Sequence, residues 1–101
     1  MYKIKKLLEF DTWLFGLKDS LTHRRLATRL RKAELGNLGD IKSVGEGVFE
    51  MREHFGCGWR MYYVQHGDML IVMLGGGEKS SQSADITKAK RLASTLEFEH
   101  D

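Results

Sequence analysis

Apolar positions along the chain change their period near residue 39. Before that point, Phe10, Trp13, Leu14 and Leu17 fall at i, i+3, i+4 and i+7, the stripe of an amphipathic helix that begins near residue 9. Lys18-Asp19-Ser20 interrupts the stripe, and Ser20 is a residue type suited to cap a second helix. That helix carries Leu21, Leu26, Leu30 and Ala33 as its apolar side, with its arginines largely off it. Gly36-Asn37-Leu38-Gly39 follows, residues that accept left-handed backbone angles and end a helix. Two amphipathic helices joined by a tight turn form an αα-hairpin. Ahead of them, residues 2–6 alternate apolar and basic side chains, as a short edge strand does.

After residue 39 the period is two. Residues 41–44 read as a short strand, and Gly45-Glu46-Gly47 as a turn. Residues 48–54 alternate, Phe49 and Met51 against Glu50 and Arg52. After a turn at 55–58, residues 59–65 set Trp59, Met61 and Tyr63 against Arg60, Tyr62 and Val64. His66-Gly67-Asp68 is a hairpin turn. Residues 69–74 are apolar throughout, the pattern of a central strand covered on both faces. The glycines from Gly75 onward read as the start of a polar loop that offers Lys79 and Gln82. A last helix over 82–96 carries Ile86, Ala89, Leu92, Ala93 and Leu96. The predicted fold is α+β: a helical hairpin packed on one face of an antiparallel meander, then a C-terminal helix. Strand alternation sends Lys42, Glu50, Arg52, Arg60 and Tyr62 to the other face, which is expected to be open.

At 101 residues the chain is long enough for one domain, taken here as 1–101. An apolar share of 42% supports a packed core. No apolar run approaches the ~20 residues of a bilayer span, and the N-terminus lacks a signal-peptide core, so a cytoplasmic protein without membrane contact is expected. Cys57 is the only cysteine, which excludes an intrachain disulfide. It also excludes a thiolate zinc site within the chain. No histidine stands at a recognised spacing from it, so it reads as a small turn residue. The net charge of +2 is too small for a polycation that coats nucleic acid. Arg24, Arg25, Arg29, Arg31 and Lys32 crowd the second helix, as a solvated face or as a nucleic-acid or ribosome contact. Lys42, Arg52, Arg60 and Lys79 are spread over the sheet region. Cations on rigid strands suit a surface that grips phosphates.

Four segments carry a family resemblance: Asn37-Leu38-Gly39-Asp40-Ile41-Lys42; Gly47-Val48-Phe49-Glu50-Met51-Arg52; Gly58-Trp59-Arg60-Met61-Tyr62-Tyr63; and Gly76-Gly77-Glu78-Lys79-Ser80-Ser81-Gln82 with Asp85-Ile86. In this order and spacing, the chain resembles the RelE/ParE toxin superfamily, in its HigB-like "addiction module killer protein" branch. Trp13-Leu14 and Leu17-Lys18-Asp19 fit the same branch, so the likeness covers nearly the whole chain. It implies a helical hairpin, a curved antiparallel sheet and a C-terminal helix. It implies the toxin of a bacterial type II toxin–antitoxin system, in most characterised members a ribosome-dependent mRNA endonuclease. Two alternatives stay open: a ParE-like inhibitor of DNA gyrase, and an inactive relative that only binds its antitoxin. The implied partners are a helix-turn-helix antitoxin encoded nearby, the ribosome and mRNA, with DNA met only through the antitoxin. No cofactor is implied.

Metal-free RNA cleavage needs a base for the 2′-hydroxyl, a cation for the scissile phosphate and an acid for the departing 5′-oxygen. Arg60 matches the family's glycine-aromatic-arginine strand and is the first choice for the phosphate, since a guanidinium offers a planar fork that stays charged. On an open face, its removal should spare the fold. Lys79 matches the basic residue after the last strand and is assigned to phosphate binding or leaving-group protonation. Arg52 could complete the clamp, or pair with Glu50 or Glu53. Lys42 is a candidate base, because crowding among arginines disfavours a lysine's charged form. Tyr62 is a candidate for stacking on a base, with Gln82 and Asp85 beside the substrate; Asp85 equally suits the dipole of its helix. Several ribosome-dependent members place a tyrosine or histidine near the C-terminal end. Here none follows Lys79 before His100, while His54 and His66 fall at turns.

Overall fold

The computed structural model of the chain describes residues 1–97. The elements follow in the order β1 (Lys3–Lys6), α1 (Leu8–Phe15), α2 (Ser20–Glu34), β2 (Ile41–Gly45), β3 (Val48–Glu53), β4 (Trp59–His66), β5 (Leu70–Glu78), a 3-10 turn (Lys79–Ser81) and α3 (Gln82–Ser94). The fold is α+β, with a five-stranded sheet in the order β1-β5-β4-β3-β2. Strands β2 to β5 form the antiparallel meander. The sheet as a whole is mixed, because β1 runs parallel to β5 with Lys3 opposite Leu70 and Lys6 opposite Met73. Three of the four residues of β1 are lysines, a composition that discourages a further strand from adding to that edge.

Local chemistry sets the helix ends. The cap of α2 is Asp19, one residue before the Ser20 expected in that role. Its carboxylate accepts from the Leu21 amide at 3.2 Å and from the Thr22 hydroxyl at 2.7 Å. These bonds, the Thr22 hydroxyl foremost, draw the Asp19 pKa below its ordinary value. At the other end, Gly36 takes φ +105°. The Asn37 amide then reaches the Lys32 carbonyl and the Gly36 amide reaches that of Ala33, the paired bonds of a Schellman motif.

Both faces of the sheet are covered. On one, Phe10, Leu14, Leu26, Leu30 and Ala33 of the hairpin pack against Met51, Met61, Tyr63, Ile71 and Met73. On the other, Ala89 of α3, with Ile86, Leu92 and Ala93, packs against Val48, Tyr62, Val64, Val72 and Leu74. The face expected to be open therefore lies partly under α3. Leu21, expected on the buried stripe, is half exposed, and Arg29 takes an inward position instead.

The glycines read as the start of a loop belong to β5. A register shift between Tyr62 and Tyr63 sets Gly75, Gly76 and Gly77 opposite Tyr62, Met61 and Arg60. The missing side chains serve both layers. A Cβ on Gly76 would overlap the Trp13 indole, and one on Gly77 would overlap the Asp85 carboxylate. Glycine in this strand lets α1 and α3 approach the backbone from opposite faces.

Candidate functional site

The pairing register puts two cross-strand rows on the α3 face. One runs Lys42–Glu50–Tyr62–Gly75, the next Arg52–Arg60–Gly77. Four of the seven residues singled out from sequence, Lys42, Arg52, Arg60 and Tyr62, stand in these rows on their strands, and Lys79 follows in the turn after β5. Gln82 and Asp85 reach them from the first turn of α3.

Arg60 is only 5% exposed. Its Nη1 donates to the carbonyls of Glu53 at 3.2 Å and Trp59 at 3.0 Å, and its Nε lies 3.6 Å from Glu50 Oε1. Glu50 is fully buried and accepts from Gln82 Nε2 at 2.6 Å. Arg60 is thus no free side chain on an open face, and the expectation that its removal would spare the fold is corrected. Strand alternation gave its direction, but only the docking of α3 closes the lid. Tyr62 is likewise fully buried, so its ring has no face to offer a base in this arrangement. Burial pushes its phenol pKa well up, and the nearby charges of Glu50 and Asp85 add to that.

Lys79 remains exposed in the 3-10 turn, beside Arg60. The two meet at Gly58, whose φ is +80°; a Cβ there would stand 3.3 Å from Lys79 Cβ and 3.8 Å from Arg60 Nη1. The Lys79 amide donates to the Gly58 carbonyl at 2.7 Å, which ties the turn to the start of β4. Arg60, Lys79 and Arg52, the cross-strand neighbour of Arg60, therefore share one end of the sheet. Lys42 is exposed on β2 in the adjoining row, opposite a carboxylate, Glu50, rather than crowded among arginines. That removes the premise on which it was a candidate base. Asp85 sits against Gly77 and accepts from the Ser81 hydroxyl, so a local structural bond occupies it.

Arg52 pairs with neither Glu50 nor Glu53. Its Nη2 and Nε donate to Asp40 Oδ1 at 2.9 and 3.3 Å, while His54 Nε2 lies 2.8 Å from Asp40 Oδ2. Sequence reasoning missed this Arg52–Asp40–His54 chain. Its signal was available, since pairing Ile41 with Met51 brings the residues flanking the β2–β3 hairpin together. The hydrogen bond from Arg52, and then that from His54, holds the Asp40 pKa down at about 2 against an ordinary 3.8. A carboxylate with a depressed folded-state pKa stabilises above its unfolded value and loses that contribution as pH falls through the folded one. Asp40→Asn should therefore lower the urea midpoint at pH 7. The gap to the unaltered protein should narrow between about pH 4 and pH 2. A gap that stays constant through that window would remove the assignment.

Glu50 and Arg29 are the other residues sequence reasoning passed over. Arg29 is 8% exposed and donates to the carbonyls of Leu38, Asp40 and Arg52 and to Glu53 Oε1, all at 2.8–2.9 Å. The remaining cations of α2, Arg24, Arg25, Arg31 and Lys32, are exposed. Arg25 lies over the Phe55 ring at 4.8 Å. Cys57 is exposed, and its thiol pKa is raised by partial desolvation and by Glu78, the reverse of nucleophile activation. His66 lies at the end of β4, and His100 falls outside the described residues. No described helix is long and apolar enough to cross a membrane.

The chain is 43% identical over 94 residues to an uncharacterized protein of Haemophilus influenzae, a match that spans 93% of this chain and 95% of that one. The chain belongs to the same family as that protein. No family model matches it, and no solved structure does.

Proposed function

We propose that this chain, as a member of that family, is a RelE/ParE-like, HigB-branch toxin of a bacterial type II toxin–antitoxin system. In this reading it arrests translation by cutting mRNA on the ribosome, in the cytoplasm, without a metal ion. One observation carries the reading: Arg60 and Lys79 meet at Gly58, at one end of the sheet, and Arg52 is the cross-strand neighbour of Arg60 on β3. Three cations on rigid backbone suit a phosphodiester better than any single surface lysine does.

In this reading those positions serve the chemistry as follows. Exposed Lys79 takes one non-bridging oxygen of the scissile phosphate, and buried Arg60 takes the other when its contact with Glu50 opens. A base removes the 2′-hydroxyl proton, the 2′-oxygen attacks phosphorus, and the 5′-oxygen leaves with a proton from an acid. The products are a 2′,3′-cyclic phosphate and a 5′-hydroxyl. Lys79 is the exposed ammonium that can supply the leaving-group proton. His54, oriented by Asp40 at the same sheet end, can take the 2′-hydroxyl proton. An antitoxin of the helix-turn-helix type would cover this end and connect the toxin to DNA only indirectly.

Purified ribosomes carrying a defined message, incubated with the protein and analysed by transcript-end mapping, test the proposal. New 5′-hydroxyl ends inside codons are expected. Lys79→Ala should reduce cutting by about 10²-fold or more. Because Lys79 is exposed, its folding stability should stay within about 0.5 kcal/mol. Intact message together with inhibited DNA supercoiling would replace the reading with gyrase inhibition. Intact message without any effect on growth would leave only antitoxin binding.

A further inference from the structure

We infer that Glu50 is the positioning residue of the anion site at Arg60: its carboxylate occupies the guanidinium in place of a phosphate and yields it when a phosphodiester arrives. The inference rests on the reading of Arg60 as a phosphate-binding residue and adds how that residue is kept before substrate comes.

The geometry of the buried pair is the first reason. Among the described residues, Arg60 Nε, Glu50 Oε1 and the Tyr62 hydroxyl are buried with no hydrogen-bond partner. Nε and Oε1 are 3.6 Å apart, near enough for charge attraction and too far for a hydrogen bond. A guanidinium–carboxylate pair commonly closes two parallel bonds; this pair closes none. What holds the carboxylate is the Gln82 amide, at 2.6 Å on its other oxygen. Glu50 thus neutralises Arg60 while leaving the donor edge at Nε uncommitted. A counter-anion meant for exchange needs that combination.

The second reason is that Glu50 has somewhere to go. Lys42 stands directly opposite it on β2, on the same face, and is exposed. Cross-strand neighbours have Cβ atoms about 4.5–5.5 Å apart, within reach of a glutamate rotating about its own side chain. Turning from the Arg60 side to the Lys42 ammonium keeps the carboxylate neutralised throughout. The groups facing it are Arg60 and Tyr62 from β4, Lys42 from β2, Arg52 two residues along β3, and Gln82 from α3. Lys42 thereby gains a role that sequence reasoning did not give it, as the alternate partner of Glu50.

The test uses the full chain, inorganic phosphate as the probe, and side-chain NMR of arginine Nε–H, glutamine amide and lysine Nζ groups. In the unaltered protein, phosphate should move the Arg60, Gln82 and Lys42 signals along one saturation curve. A shift at Arg60 with Gln82 unmoved, or no shift at Arg60, overturns the inference. Glu50→Gln keeps the shape and removes the charge, so phosphate should bind Arg60 about tenfold more tightly, the scale of one nearby charge in a partly screened site. Equal affinity in the two proteins overturns the inference as well. Transcript cutting with no Glu50 effect would leave the nuclease reading and remove this one. Phosphate exchange at Arg60 without cutting would do the reverse.

Discussion

Arg60→Ala should lose about 3–5 kcal/mol of folding stability, along with any grip on phosphate, because it leaves the fully buried Glu50 carboxylate without its cation. Removing one member of a buried pair costs far more than the pair contributes, since the stranded charge keeps its desolvation penalty. The two carbonyls that Arg60 Nη1 serves, those of Glu53 and Trp59, lose a donor in the same step. In a domain of this size such a loss lowers the melting temperature by roughly 4–8 °C for each kcal/mol, which differential scanning calorimetry would register. The double variant Arg60→Met with Glu50→Leu should recover most of it, because an apolar pair of similar volume carries no charge to desolvate. A stable, fully folded Arg60→Ala protein would show that Glu50 is neutralised without Arg60, by solvent or by turning to Lys42. The consequence for assays is direct. Loss of activity in Arg60→Ala cannot be assigned to phosphate binding until the fold has been measured.

Arg29→Met should be comparably damaging, again by about 3–5 kcal/mol, though it lies away from the proposed chemistry. One guanidinium on α2 serves three backbone carbonyls and Glu53, and so fastens the helix to the loop before β2 and to the end of β3. Methionine keeps the apolar stem and deletes every bond. A buried carbonyl left without a donor costs about 1–3 kcal/mol, softened where water can enter, although that of Asp40 keeps the Arg52 amide. Urea unfolding should show the drop at an unchanged m-value. Amide exchange should quicken first around residues 38–41, where Arg29 holds the carbonyls of Leu38 and Asp40. A loss below about 1 kcal/mol would mean that solvent replaces the guanidinium readily. Arg29 also explains Gly39. At φ +67°, a Cβ there would meet the guanidinium carbon at 2.9 Å, so helix and loop constrain each other.

Much of this molecule was legible in its residues. The change of period from 3.6 to 2 near residue 39 located the hairpin, the meander strands and α3, because apolar spacing reports directly which face of an element is buried. Parity within each strand assigned Lys42, Glu50, Arg52, Arg60 and Tyr62 to one face, and the pairing register agrees. Gly36 announced its Schellman turn by residue type alone.

Other features depend on distance in three dimensions, which a single chain read in order does not contain. The parallel contact of β1 with β5 joins segments more than sixty positions apart, and four hydrophobic-basic residues fit either pairing direction. Gly75-Gly76-Gly77 reads as loop because glycine is a poor strand former, yet it forms strand because Trp13 and Asp85 need the room above and below it. Arg29 looked solvated, and becomes an internal fastener because four acceptors converge on its tip. Burial of Glu50, Arg60 and Tyr62 is likewise a property of the layer above them. Local side-chain chemistry is written residue by residue; which charge loses its water is decided only when α3 settles on the sheet.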